Sequence, residues 1–183
     1  MRLAGQGAYF FDMSVLSDGQ VSLKTKKAPE IGFVRLTEIP LDEIAAHMSD
    51  PRVVEHMPLA TGLWDRTRCE LFVSCKEESW HRDGLGHWAI FCGAAYVGWG
   101  GLQKEGGEWD LGLVLKPDHF GQGIRIVRMM LEFAGSDARI PFVTFLLPLS
   151  RKHFRWLARL GAVCVGEVDY AGSIFRKYRL DTL

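Results

Sequence analysis

Between residues 108 and 134 the spacing of apolar side chains changes from every second position to the period of a helix. Leu111, Leu113 and Leu115 alternate with other residues, the pattern of a strand. Pro117 ends the run, because proline has no N–H to give to a ladder. Gly121-Gln122-Gly123 follows as a turn, and an apolar-periodic run over 124–134 reads as a helix, with Ile124, Val127, Leu131 and Ala134 facing inward. Strand, glycine turn and helix start together make an anion cradle. The helix start offers unpaired N–H groups and a partial positive charge, and glycine lets a phosphate come close. The same residues equally make a tight strand-to-helix turn with no ligand. No third glycine completes a dinucleotide fingerprint, and no G-x-x-x-x-G-K-[ST] run occurs, so a P-loop is excluded.

A chain of 183 residues is long enough for one domain with a full core. Lys plus Arg and Asp plus Glu both number 22, a balance that argues against nucleic acid or an anionic membrane as a partner. The longest apolar stretch, 140–149, contains Pro141 and Pro148 and is too short to span a bilayer. Arg2 is followed by no continuous apolar segment, so no secretory signal is expected. The four cysteines show no C-x-x-C spacing, which points to neither a metal site nor a disulfide framework. Cys92 and Cys164 lie in apolar strand-like runs and are expected as buried thiols in a reducing cytoplasm.

Residues 1–30 stand apart as an N-terminal extension or hairpin, with Ser17-Asp18-Gly19 as its turn, and 31–183 form the main domain. Within it a strand is expected over 31–38, and a helix then carries Leu41, Ile44, Ala45 and Met48. Asp50-Pro51 opens a short second helix, aspartate suiting the cap and proline the first turn. A long helix over 65–80 is expected to bury Leu71, Phe72, Cys75 and Ser79. Three strands at 87–92, 96–103 and 108–115 make a meander, and the helix of 124–134 follows. A strand at 142–147 precedes a basic amphipathic helix over 151–160 that stops at Gly161, a C′ glycine. A hairpin of 163–170 and 173–180 turns through Ala171-Gly172. The predicted fold is α+β, a single domain of mixed α/β architecture around one sheet.

This order and three of its motifs resemble the GCN5-related N-acetyltransferases, in particular their ribosomal-protein and small-molecule branch, over roughly residues 33–179. VRLTEIPLDEIAAHMSDPRVVEHMPL resembles the opening strand and helix pair, and DLGLVLKPDHFGQGI resembles the acetyl-CoA strand and pyrophosphate loop. SRKHFRWLARLGA resembles the helix that follows the splayed strands. The resemblance implies a mostly antiparallel twisted sheet with helices on both faces, and acetyl-CoA as acyl donor. The backbone of Leu113, Val114 and Leu115 would pair with the pantetheine arm. Phe120, Gly121, Gln122, Gly123, Ile124 and Arg125 would hold the pyrophosphate, with Ser150 and His153 beside the cofactor. The chain departs from the family pattern at Arg125, where a small residue is usual, and at Ser150, His153 and Ala162 in the helix motif.

The implied reaction needs a neutral amine, an oriented thioester and a donor for the leaving thiolate. Asp110 is the candidate to deprotonate the amine, with Glu108 two residues away on the same strand face. Mutual repulsion would raise the pKa of one of the two; the alternative is a pair of solvated charges at a strand end. Ser150 is a candidate catalytic hydroxyl and equally the N-cap of the basic helix. His87 and Trp99, together with His56, Trp64, Trp88 and Tyr96, are candidates to line an acceptor pocket, or else core. One of Arg151, Lys152 and Arg155 would reach a phosphate of the cofactor, or all three form a solvated face. The function expected is acetyl transfer to a primary amine of a small molecule or a protein N-terminus, by direct attack in a ternary complex and without a metal. The alternative is a catalytically silent CoA-binding or protein-interaction module of the same fold. A homodimer through the aromatic N-terminal hairpin is compatible with either.

Overall fold

In a computed structural model the chain is described over residues 9–15, 21–27, 29–151 and 155–182, the first two stretches as backbone only. Strands β1 (Tyr9–Val15) and β2 (Val21–Lys27) pair antiparallel, from Tyr9 opposite Lys27 to Val15 opposite Val21, as a sheet of their own. The Ser17-Asp18-Gly19 turn lies outside the described residues. The main sheet has seven strands: β3 (Ile31–Arg35), β4 (His87–Cys92), β5 (Ala95–Glu105), β6 (Glu108–Leu115), β7 (Phe142–Pro148), β8 (Val163–Tyr170) and β9 (Ser173–Asp181). Their spatial order is β3-β4-β5-β6-β7-β9-β8, antiparallel throughout except between β6 and β7.

Helices cover both faces. On one, α1 (Leu41–Met48) and α3 (Arg66–Asp83) bury Ile44, Met48, Cys69 and Val73 against Ala89, Tyr96 and Trp99. On the other, α4 (Gly123–Gly135) and α5 (Arg155–Arg159) bury Ile126, Met130 and Leu157 against Val97, Leu102, Leu111 and Phe145. Full burial of each such side chain contributes roughly 2 kcal/mol. The short helix α2 (Pro51–Val54) starts as its sequence requires: the Asp50 side chain accepts from the Arg52 N–H at 2.9 Å and Pro51 occupies the first turn. Past α5, Gly161 at φ +92° closes a Schellman motif, its N–H donating to Ala158 O and the Ala162 N–H to Leu157 O.

Strand β5 runs unusually close to its neighbours. A side chain at Gly100 would place Cβ 2.5 Å from Gly112 O, and one at Gly101 would meet Gly86 O at 2.4 Å. The glycines of Tyr96-Val97-Gly98-Trp99-Gly100-Gly101 are therefore required by interstrand contact.

Several expectations are corrected. The strand expected over 31–38 ends at Arg35, and Leu36–Glu38 is a 3₁₀ turn. In α3, Ser79 is buried and Phe72 half-buried as expected, whereas Leu71 is 64% exposed and Cys75 exposed; the inward stripe also takes in buried Cys69 and Val73 and half-buried Lys76 and Trp80. A lysine sits on that stripe, so hydrophobicity alone misplaces the buried face. In α4, Val127 and Ala134 are buried as expected, with Ile126 and Met130 beside them, whereas Ile124 is exposed and Leu131 half-buried. Cys92 is half-buried and Cys164 exposed, since β8 is the outer strand; the buried thiol is Cys69.

Candidate active site

Strands β6 and β7 pair at one position among the described residues, Asp110 with Thr144. Two parallel strands joined by a single bridge leave the facing backbone groups of 111–115 and 145–148 without a ladder partner between them, a wedge with that bridge as its vertex. Side chains alternate along β6. Trp109, Leu111 and Leu115 pack toward α4, whereas Asp110, Gly112 and Val114 face α3.

Asp110 stands at the vertex of the wedge. It accepts a hydrogen bond from the Thr144 hydroxyl at 3.2 Å, and Gln103 of β5 stands directly opposite it. Burial pushes its carboxyl up to about 7, and the nearby Glu105 carboxylate adds to the shift. The Thr144 hydrogen bond and the lysines 177 and 76 pull in the other direction without cancelling it. A carboxyl balanced near neutrality can take a proton from an amine. Glu108, its expected partner, is instead ion-paired with Lys177 of β9. The repulsion expected between Glu108 and Asp110 is therefore not the source of the shift.

His87 lies beneath the same face. A side chain at Gly112 would come within 3.3 Å of its Nε2, so glycine there leaves room for the ring. Burial holds His87 well below the ordinary histidine range, and its Nδ1 is enclosed without a hydrogen-bond partner among the described residues. The ring packs at 5.3 Å from Trp99, whose indole N–H donates to Met48 Sδ at 3.2 Å.

The six aromatic and histidine candidates do not converge on one pocket. Trp99, Tyr96 and Trp64 are core residues on the α3 face, and Trp88 packs on the other face against Phe33 and Phe133. Strand alternation separates the adjacent His87 and Trp88. His56 is half-buried after α2.

At the open end of the wedge, Pro117–Gln122 form a 3₁₀ turn that leads into α4. Phe120, Gly121 and Ile124 are exposed, and Gln122, Gly123 and Arg125 half-buried. A Cβ at Gly121 would meet nothing within 4 Å. Arg125 Nη1 is enclosed without a hydrogen-bond partner among the described residues. Such a group carries a desolvation cost that an anion beside the guanidinium would offset. The singly bridged strands, the open helix start and this guanidinium together fit a ligand with an extended polar arm and a phosphate. Ser150 is exposed in the turn after β7, five residues before α5 begins, and so is not the cap of a helix starting at 151. Arg151 and Arg155 are exposed, while Lys152 and His153 lie outside the described residues.

Sequence reasoning missed four groups of this site: Lys76, Gln103, Glu105 and Tyr170. Lys76 Nζ donates to Gln103 Oε1 at 2.9 Å, Gln103 in turn to Glu105, and the Tyr170 hydroxyl to Glu105 Oε2 at 3.0 Å. The contact of Tyr170 with Glu105 joins residues 65 positions apart and has no local signal.

The model of the acetyltransferase (GNAT) domain family matches residues 23–163. No curated protein matches the chain. Among solved structures, an acetyltransferase from Agrobacterium tumefaciens is similar at 18% identity and a TM-score of 0.67, over 87% of this chain and 95% of that one. Spermidine N-acetyltransferase from Vibrio cholerae, in complex with CoA and spermine, is similar at 10% identity and a TM-score of 0.64, over 83% and 95%. An aminoglycoside acetyltransferase in complex with coenzyme A is similar at 13% identity and a TM-score of 0.65, over 83% and 95%. At these identities the likeness concerns the fold; the family match takes in most of the chain, which therefore belongs to the GNAT acetyltransferases and is an acyltransferase that uses acetyl-CoA.

Proposed function

We propose that the protein moves an acetyl group from acetyl-CoA to a primary amine of a small molecule, by direct attack in a ternary complex. The observation that carries this reading is Asp110 at the vertex of the β6–β7 wedge, with its carboxyl near neutrality and hydrogen-bonded to Thr144. Acetyl-CoA supplies the thioester. The free backbone groups of Leu113, Val114 and Leu115 hold its extended arm, and the 121–125 helix start with the Arg125 guanidinium takes its pyrophosphate. Asp110 receives the proton of the amine, directly or through a water, from the α3 side of the sheet. Ser150, past the free end of β7, offers a hydroxyl to the departing thiolate. Most of the rate enhancement comes from holding amine and thioester together.

A small-molecule acceptor fits a vertex enclosed by α3 and the β8–β9 hairpin better than a protein chain would. The similar structures that carry substrate names point the same way, one being a spermidine and another an aminoglycoside acetyltransferase. The test begins with calorimetry of acetyl-CoA on wild type and Gly123→Trp. Micromolar binding, lost in the variant with the melting temperature kept, supports the loop assignment. Release of free CoA is then followed over an amine panel. Binding without turnover of any amine overturns the proposal.

A further inference from the structure

Lys76 is a half-buried cation that the transfer of an acetyl group does not require. It occupies an inward position of α3, in line with Cys69 and Val73, where the helix pattern calls for an apolar side chain. Its ammonium lies near two aromatic rings, with Nζ 5.4 Å from the centroid of Trp99 and 5.7 Å from that of Phe72. Burial lowers its pKa to about 8, even though the carboxylates of Glu105 and Asp110 pull it the other way. Yet among the described residues no carboxylate lies within ion-pair distance of Nζ, and its hydrogen bond goes to a neutral amide, Gln103 Oε1. An ammonium has three donors, and among the described residues one of them is hydrogen-bonded.

The surrounding acids are engaged elsewhere. Glu108 pairs with Lys177, Glu105 takes Gln103 and Tyr170, and Asp110 takes Thr144. A charge partly withdrawn from water without a counter-ion is costly, and a ligand carboxylate beside it would offset that cost. Gln103, which holds the ammonium, stands opposite Asp110 on the adjacent strand. An amine at Asp110 therefore places its next few atoms against Lys76. A second cation there would be repelled, whereas an anion would complete an ion pair.

Resting on the acetyltransferase reading above, we infer that the acceptor is a zwitterionic small molecule, an amino acid whose amine meets Asp110 and whose carboxylate is held by Lys76. This sets the acceptor apart from polyamines and aminoglycosides, which carry further cations.

The test uses the full chain, as wild type, Lys76→Met and Lys76→Gln. Methionine keeps the stem, and a melting temperature within a few degrees of wild type establishes folding. The acceptors are α-amino acids, β-alanine and 4-aminobutyrate, each beside its carboxamide, together with a diamine. Initial rates give kcat and KM, and calorimetry on the protein–CoA complex gives acceptor affinity without turnover. The expected result is that at least one amino acid exceeds its carboxamide about tenfold or more in kcat/KM. That preference should vanish in both variants through KM. A wild type that favours the diamine or the carboxamide overturns the inference while leaving acetyl transfer standing, as does a preference that survives in the variants. A wild type that acetylates nothing sinks the acetyltransferase reading instead. Calorimetry then still decides on Lys76: carboxylate-dependent binding lost in Lys76→Met supports its role, and equal binding of acid and amide overturns it.

Discussion

Asp110 shows how burial makes one side chain's charge a cost to the fold. Its folded-state pKa is raised from 3.8 to about 7, chiefly by burial. Between those two values the folded chain holds a proton that the unfolded chain has released. Stability attributable to this group therefore falls as pH rises through that window, and the loss persists above it. Asp110→Asn removes the titration. Denaturant unfolding should find the variant more stable than wild type by about 1–2 kcal/mol at pH 8, a figure discounted for the partial exposure of the carboxyl, with no gain near pH 4. Activity should move the other way, with kcat/KM at least ~100-fold lower and acetyl-CoA affinity unchanged. The wild-type rate should also rise through a limb near pH 7 that the variant lacks. A variant as active as wild type would remove Asp110 from the reaction.

Among the elements, β5 and β6 illustrate a constraint that backbone conformation alone does not explain. Gly100 has an ordinary φ, but its Cβ would sit 2.5 Å from Gly112 O and 3.0 Å from the Leu113 Cα. Gly100→Ala must push β6 away from β5, at a cost of roughly 2–4 kcal/mol. Gly121→Ala, with open space around the new methyl, should stay within about 0.5 kcal/mol of wild type and serves as the control. Equal melting temperatures for the two variants would show that β5 and β6 are not in close contact. The lysine of α3 teaches a related point. A helix face is set by what packs on it, so the stripe 69, 73, 76 and 80 faces inward although one of its members is charged.

At the scale of the whole molecule the main sheet ends at β8, which pairs on one side only among the described residues. Val163 and Val165 of β8 are 64% and 53% exposed, and the far side of that strand has no partner in the sheet. An apolar edge of this kind invites intermolecular pairing. Lysine at both positions should suppress light scattering on heating while the unfolding temperature moves by no more than about 2 °C; unchanged scattering would place the liability elsewhere. Element order, caps, the glycine turn and the carboxylate at the start of β6 were all legible in the chain, because each depends on side-chain period or on a residue's own backbone preference over a few positions. Burial of Cys164, the aromatic pocket and part of the inward face of α3 were misjudged from sequence, because exposure depends on which strand is outermost and on which helix lies over which face. The sequence by itself therefore determined the elements, their order and the wedge-forming strand with its loop. Only the tertiary structure decided that Asp110 meets Thr144, that His87 reaches Gly112 and that Lys76 is enclosed beside them. Those contacts join residues far apart in the chain, and their energies come from desolvation that no local segment experiences before the sheet and its helices are assembled.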